Sequence, residues 1–148
     1  MERNRAVYVI ESKSLISYHI SMFIYTNPNP TDKRIGDCVI RAIAIATSTT
    51  WESAYIALCK EGLSMADLPN SNAVWGAYLK KLGFTRHTIP NSCPDCYTVE
   101  DFCHEHPYGV YVLGTGSHVV TIMDGNIYDA WDSSKEIPIF YFYKENEV

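Results

Sequence analysis

In Gly36-Asp37-Cys38-Val39-Ile40-Arg41-Ala42-Ile43-Ala44-Ile45-Ala46, the run from Val39 onward is apolar on every face except at Arg41. A helix of that kind is buried on all sides. Isoleucine and valine also suit a buried strand, but the alanines and the turn-forming pair before Cys38 favour the helix. Cys38 then stands at the helix N-terminus, where a loop enters the core. That loop covers residues 26–32, Thr-Asn-Pro-Asn-Pro-Thr-Asp, whose two X-Pro steps exclude a helix. Further upstream, residues 5–10 predict a short strand, and residues 15–25 read as either a helix or a strand.

Downstream, Thr49-Thr50-Trp51-Glu52 has the form of a capping box. It opens a second helix that runs to about Lys60 and is ended by Gly62. A third helix is expected from about Asn72 to Leu82, stopping at Gly83. Thr98-Val99-Glu100-Asp101 opens a short fourth helix, closed by Pro107. The period then changes from helical to alternating. Residues 110–113, 118–123, 126–131 and 137–143 read as strands, with Asp124-Gly125 as a two-residue hairpin turn. Helices followed by an antiparallel sheet predict α+β architecture, with the helical part packed on a C-terminal antiparallel sheet. No linker divides the chain, so residues 1–148 are expected to form one domain. Residues 1–26 are either part of it or a loosely attached N-terminal extension.

With 148 residues, the chain is long enough to bury one core without metals or disulfides. A net charge of -5, with no strongly basic segment, argues against nucleic acid or an anionic membrane as a partner. Residues 15–25 are interrupted by Ser17, His19 and Ser21, and are too short to span a bilayer. No secretion signal is read at the N-terminus. Five cysteines, an odd number without regular spacing, point to a reducing, cytoplasmic setting in which a reactive thiol survives.

A thiol becomes a useful nucleophile when a helix N-terminus and a neighbouring imidazolium stabilise its thiolate. Cys38 has the first of these on the helix reading; the plain alternative is a small buried hydrophobe. His118 follows the glycine-rich turn Gly114-Thr115-Gly116-Ser117 and begins a strand, where its ring can face a cleft or simply the surface. The return strand carries Asp129 and Asp132. With a two-residue turn, residue 118 lies opposite 131, which places Asp129 and Trp131 on the face of His118. With a three-residue loop the parity flips and Asp132 faces the ring. Either aspartate also serves as an ordinary turn residue.

Cysteine at the start of a buried helix, then histidine and aspartate on successive late strands, resembles the chain order of the papain-like cysteine peptidases. Asp129-Ala130-Trp131 is similar to the Asn-Ser-Trp segment of papain relatives. Gly36-Asp-Cys-Val-Ile-Arg-Ala42, Trp51-Glu52, Gly109-Val-Tyr-Val-Leu113, His118-Val-Val120 and Tyr128-Asp-Ala-Trp-Asp-Ser133 resemble small papain-like proteins encoded by bacteria and their phages. The likeness spans about residues 27–143. It implies a papain-like fold and a thiol-dependent hydrolase of peptide or isopeptide bonds, with a protein or peptide as substrate and no cofactor. Papain relatives usually place a glutamine six residues before the cysteine as oxyanion donor; here that position is Asp32, which does not donate when ionised. Asn29 resembles the asparagine of the small phage-type group and is the available amide donor, alongside the Cys38 backbone N–H.

Cys93-Pro94-Asp95-Cys96, followed by Cys103, His104 and His106, supplies enough ligands for one tetrahedral zinc. Cys103 and His104 are adjacent, however, and on a helix they point about 100° apart. A loop followed by a helix face is the competing reading.

Overall fold

The computed structural model describes residues 7–11, 14–18, 20–90 and 97–145. Helix α1 (Cys38–Ala46) forms on the apolar run, and Val39, Arg41, Ala42, Ile43 and Ala44 are buried along it. Helices α2 (Trp51–Met65) and α3 (Asn72–Lys81) follow, with α4 (Val99–Glu105) after them. Thr50 caps α2 by accepting a hydrogen bond from the Ser53 amide, so the cap sits one residue later than the capping-box pattern puts it. Helix α2 also runs through Gly62 and ends at Ala66, which takes a left-handed conformation (φ 53°). Gly62 has another purpose: a Cβ there would lie 2.6 Å from the Asp67 carbonyl, where the chain folds back on the helix.

Strands β1 (Val7–Glu11) and β2 (Ser14–Tyr18) pair antiparallel as a separate two-stranded sheet. Strands β3 (Phe23–Tyr25), β4 (Thr85–Thr88), β5 (Val110–Gly114), β6 (Val119–Met123), β7 (Asn126–Asp129) and β8 (Phe140–Tyr143) form the main sheet, in the order β3-β7-β6-β5-β8-β4. Within the segment 15–25, open to two readings, residues 15–18 and 23–25 are strand. The main sheet is mixed, not purely antiparallel, because β3 pairs parallel to β7. A strand that precedes all the helices reaches the sheet only through a long crossover, which permits parallel pairing. So β3, within the segment 1–26 that the sequence leaves open between domain and extension, is a strand of the main sheet. Strand β8 is shorter than expected: Pro138 has no N–H to give to a ladder, and pairing starts only at Phe140.

The sheet is covered on both faces. Val112, Val119, Phe140 and Phe142 pack with α1, α2 and α3, and with Trp75, in one core. Tyr111, Leu113, Val120, Ile122 and Ile127 pack with Val99, Phe102 and Cys103 of α4 in the other. The alternation of these residues along β5 and β6 is the two-residue period of a strand buried on both sides. Thr121, fully buried, donates from Oγ1 to the Ala42 carbonyl at 2.7 Å and pins α1 to β6.

At Gly114, where β5 meets β8, a Cβ would come within 2.3 Å of the Phe140 ring. That ring is itself stacked on Trp75 with centroids 5.6 Å apart, so it has little room to withdraw. Gly114→Ala is expected to cost about 1–3 kcal/mol, as overpacking of a filled core does. Gly116→Ala has nothing within 4 Å and should be close to neutral. Urea unfolding of the two variants measures the difference.

Candidate active site

Cys38 opens α1, and Asp37 occupies the N-cap position without making a side-chain cap. The first backbone bond of the helix is Arg41 N–H to Asp37 C=O at 2.9 Å. The amides ahead of it therefore contribute the partial positive charge of an uncapped helix end beside the sulfur. The thiol is half-buried.

His118 is placed by the turn before β6. Thr115 N–H donates to the His118 carbonyl at 2.8 Å, and Thr115 Oγ1 accepts from the His118 amide at 3.0 Å. His118 closes this turn, and the strand proper begins one residue later than expected. Asp124 (φ 48°) and Gly125 (φ 72°) form the two-residue hairpin turn with left-handed backbone at both positions. Met123 pairs with Asn126, the register that brings Asp129 to the face of His118. Asp129 Oδ2 lies 2.6 Å from His118 Nε2. The Trp131 ring lies over the imidazole at 4.6 Å between centroids, limiting access of water to the contact. Asp132 is exposed and accepts from the Ser134 amide at 3.0 Å, so it caps a turn and is not the partner of His118.

Asp129 is held from several sides. Its Oδ1 accepts from the Ala130 amide at 2.7 Å, and its Oδ2 accepts from Ser133 Oγ at 2.8 Å. The Thr26 amide donates to its carbonyl at 2.7 Å, at the end of the β3–β7 ladder. With Nε2 engaged by Asp129, Nδ1 is the ring nitrogen left for Cys38. Burial by itself raises the Cys38 pKa; the hydrogen bond to His118, the Val119 amide and the charges of His118 and Arg41 outweigh it and hold the thiol below its ordinary value. Burial likewise opposes the His118 charge, yet hydrogen bonds and charge from Asp129 and Cys38 push its pKa up to about 9. Opposite shifts of this kind favour a thiolate–imidazolium pair.

Asn29 is buried, but its amide is engaged: Nδ2 donates to Asp37 Oδ2 at 3.2 Å, while Oδ1 accepts from the Thr31 and Lys33 amides. It fastens the loop to the start of α1. Asp32 is exposed and accepts from Tyr25 Oη and Asn27 Nδ2, both at 2.9 Å. Trp51 is half-buried, and its indole N–H donates to Asp37 Oδ2 at 2.9 Å. Sequence reasoning missed Arg41, which pairs with Asp37 through Nη1 and approaches Asp129 Oδ1 with Nη2 at 3.6 Å. A lone arginine in an otherwise apolar helix was the available signal, since such a charge needs buried partners.

In the other cluster, Cys93 and Cys96 lie outside the described residues. Cys103 is fully buried, and burial with the nearby Glu100 pushes its pKa up to about 12, so it is a core thiol and not a ready thiolate ligand. His104 faces the other way, 3.5 Å from Ser21 Oγ, and His106 stacks on Phe102 at 3.9 Å. Among the described residues no group of three or more such side chains is arranged to hold a metal ion, and no helix is long and apolar enough to cross a membrane. A surface hollow of about 480 Å³, walled by Lys81, Leu82, Thr85 and Lys144, lies away from the Cys38 site. The chain matches no protein-family model, no curated protein and no solved structure.

Two measurements follow from this geometry. The imidazole of His118 should titrate near pH 9 by NMR. Because the thiolate raises that value, Cys38→Ala should lower it. Asp129→Ala leaves His118 and Arg41 without their shared carboxylate, and denaturant unfolding should show a loss of about 3–5 kcal/mol, as for a broken buried pair.

Proposed function

We propose that this chain is a thiol-dependent hydrolase or transferase of peptide, isopeptide or related amide bonds, of the papain-like type. The observation that carries the reading is the 2.6 Å contact of His118 Nε2 with Asp129 Oδ2, which leaves Nδ1 for a Cys38 thiol whose pKa His118 lowers. In the proposed reaction the Cys38 thiolate attacks the scissile carbonyl carbon and forms a bond to it. The electron pair moves to the carbonyl oxygen, which the Cys38 backbone N–H stabilises. The imidazolium of His118 then gives its Nδ1 proton to the departing amine as the C–N bond breaks. An acyl-thioester remains, which water or an acceptor amine resolves with the imidazole as base. Asp129 keeps the ring oriented by holding Nε2–H throughout.

Activity should follow a bell in pH. The acid limb reports protonation of Cys38, displaced below the ordinary thiol value, and the alkaline limb lies near 9, where His118 loses its proton. An electrophilic peptide probe should modify Cys38 selectively over Cys59 and the other thiols at mildly acidic pH. His118→Ala should slow that labelling by roughly 10²-fold or more. Equal labelling of all the thiols, unchanged in His118→Ala, refutes the proposal.

A second reading is supported by one observation: Asn29, the side chain available as an oxyanion donor, has one of its two amide N–H groups turned to Asp37 and held there. On that reading the same fold captures a protein partner with little or no turnover. A Cys38→Ala variant that keeps its full biological effect selects it over the enzyme.

A further inference from the structure

We infer that Arg41 is the positioning residue of this site, a guanidinium that bridges Asp37 beside the nucleophile to Asp129 behind the base and thereby sets how Cys38 and His118 face each other. The inference rests on the thiol–imidazole reading above. Arg41 is only 6% exposed and follows Cys38 by three residues on α1. On a helix that spacing puts the two side chains on one face. Nη1 pairs with Asp37 Oδ1, and Nη2 lies 3.6 Å from Asp129 Oδ1. The other oxygen of Asp129 is 2.6 Å from His118 Nε2. Since Asp37 is the residue before Cys38, a chain of contacts runs from His118 through Asp129 and Arg41 to Asp37, and on to Cys38 through the main chain. The nucleophile and its base are thus tied by a side chain from the nucleophile's own helix.

A fork of fixed N–H donors reaches two carboxylates at once, whereas a lysine ammonium is a single compact charge. The titratable and charged groups facing the bridge are Asp37 from the loop, Cys38 from α1, His118 at the head of β6 and Asp129 from β7. Helix α2 contributes the uncharged indole of Trp51, which donates to Asp37, and the loop also supplies the Asn29 amide. Arg41 balances one of the two carboxylates and His118 balances the other. The thiolate is therefore met by the imidazolium and the helix end, with no uncompensated carboxylate beside it.

The competing account makes Arg41 a plain counter-ion for Asp37, an i, i+4 pair at a helix start. The double variant Asp37→Asn/Arg41→Met separates the two, because it removes that pair together and leaves Asp129 without its clamp. Iodoacetamide alkylation of the intact protein is followed against pH, with Cys59 as the internal reference and circular dichroism as the check on folding. On the bridge account the double variant labels Cys38 about tenfold more slowly than wild type at pH 6, the equivalent of one pKa unit. Arg41→Lys, which keeps the charge but not the fork, should slow labelling by a smaller factor, about threefold. Wild-type labelling in the double variant overturns the inference; if that variant does not fold, an unchanged pH profile in Arg41→Lys overturns it. A wild-type Cys38 that reacts no faster than Cys59 removes the nucleophile reading and the inference with it. A fast wild type with equally fast variants removes the inference alone.

Discussion

Arg41 carries a full positive charge into the interior, where Nη1 meets Asp37 and Nη2 approaches Asp129, while its buried Nε finds no hydrogen-bond partner among the described residues. Taking a guanidinium and two carboxylates out of water costs several kcal/mol for each ion unless geometry and hydrogen bonds offset it. Asp37 is therefore held by Asn29 and Trp51, and Asp129 by Ala130, Ser133 and His118. These partners come from the proline-rich loop, α2, the turn before β6 and the segment after β7. Removing any of them leaves a buried acceptor or donor unmet. Packing alone would tolerate small shifts between α1 and the sheet; this polar cluster tolerates them far less, because hydrogen bonds weaken steeply with distance and angle.

The sheet supplies the rigidity on which the cluster depends. Its two faces are both buried, one under α1, α2 and α3 and the other under α4. Aromatic rings fill much of that space: Trp75, Phe140 and Phe142 pack against one another, and Phe102 meets Tyr111 and Tyr141 edge-on. The short edge strand β4 is exposed along its whole length, yet Arg86 lies over the Phe140 ring at 4.5 Å and His87 stacks on Tyr141 at 4.9 Å. Polar side chains at an edge discourage pairing with another chain while their apolar parts still cover the core.

Features that depend on neighbours in sequence were legible before any coordinates. The apolar run after Cys38 announced α1, and Thr98 announced the start of α4, where its side chain and that of Asp101 cap reciprocally. Asp124-Gly125 was the most informative dipeptide, because a two-residue turn fixes parity and separates Asp129 from Asp132. What was not legible depends on distant partners. Strand β3 has only three residues, largely exposed, and its ladder lies with residues about a hundred positions later. The fate of the Asn29 amide depended on Asp37 turning toward it instead of capping α1. Arg41 was visible as an anomaly, but its second carboxylate comes from the far end of the chain. Gly62 misled for a different reason: glycine commonly ends helices, and here it admits a crossing backbone.

Tyr25 pairs with Asp129, and the Thr26 amide closes onto the Asp129 carbonyl, so the segment leading to Cys38 is anchored by one of the last strands to be made. During synthesis the cysteine leaves the ribosome long before the imidazole that helps to depress its pKa. Pairings so far apart in sequence also form late, since the intervening loop must first be closed. Until β6 and β7 have emerged and joined β3, the nascent chain presents a thiol of ordinary acidity. The shift in its acidity therefore comes only after both strands, well behind the cysteine itself, have been made.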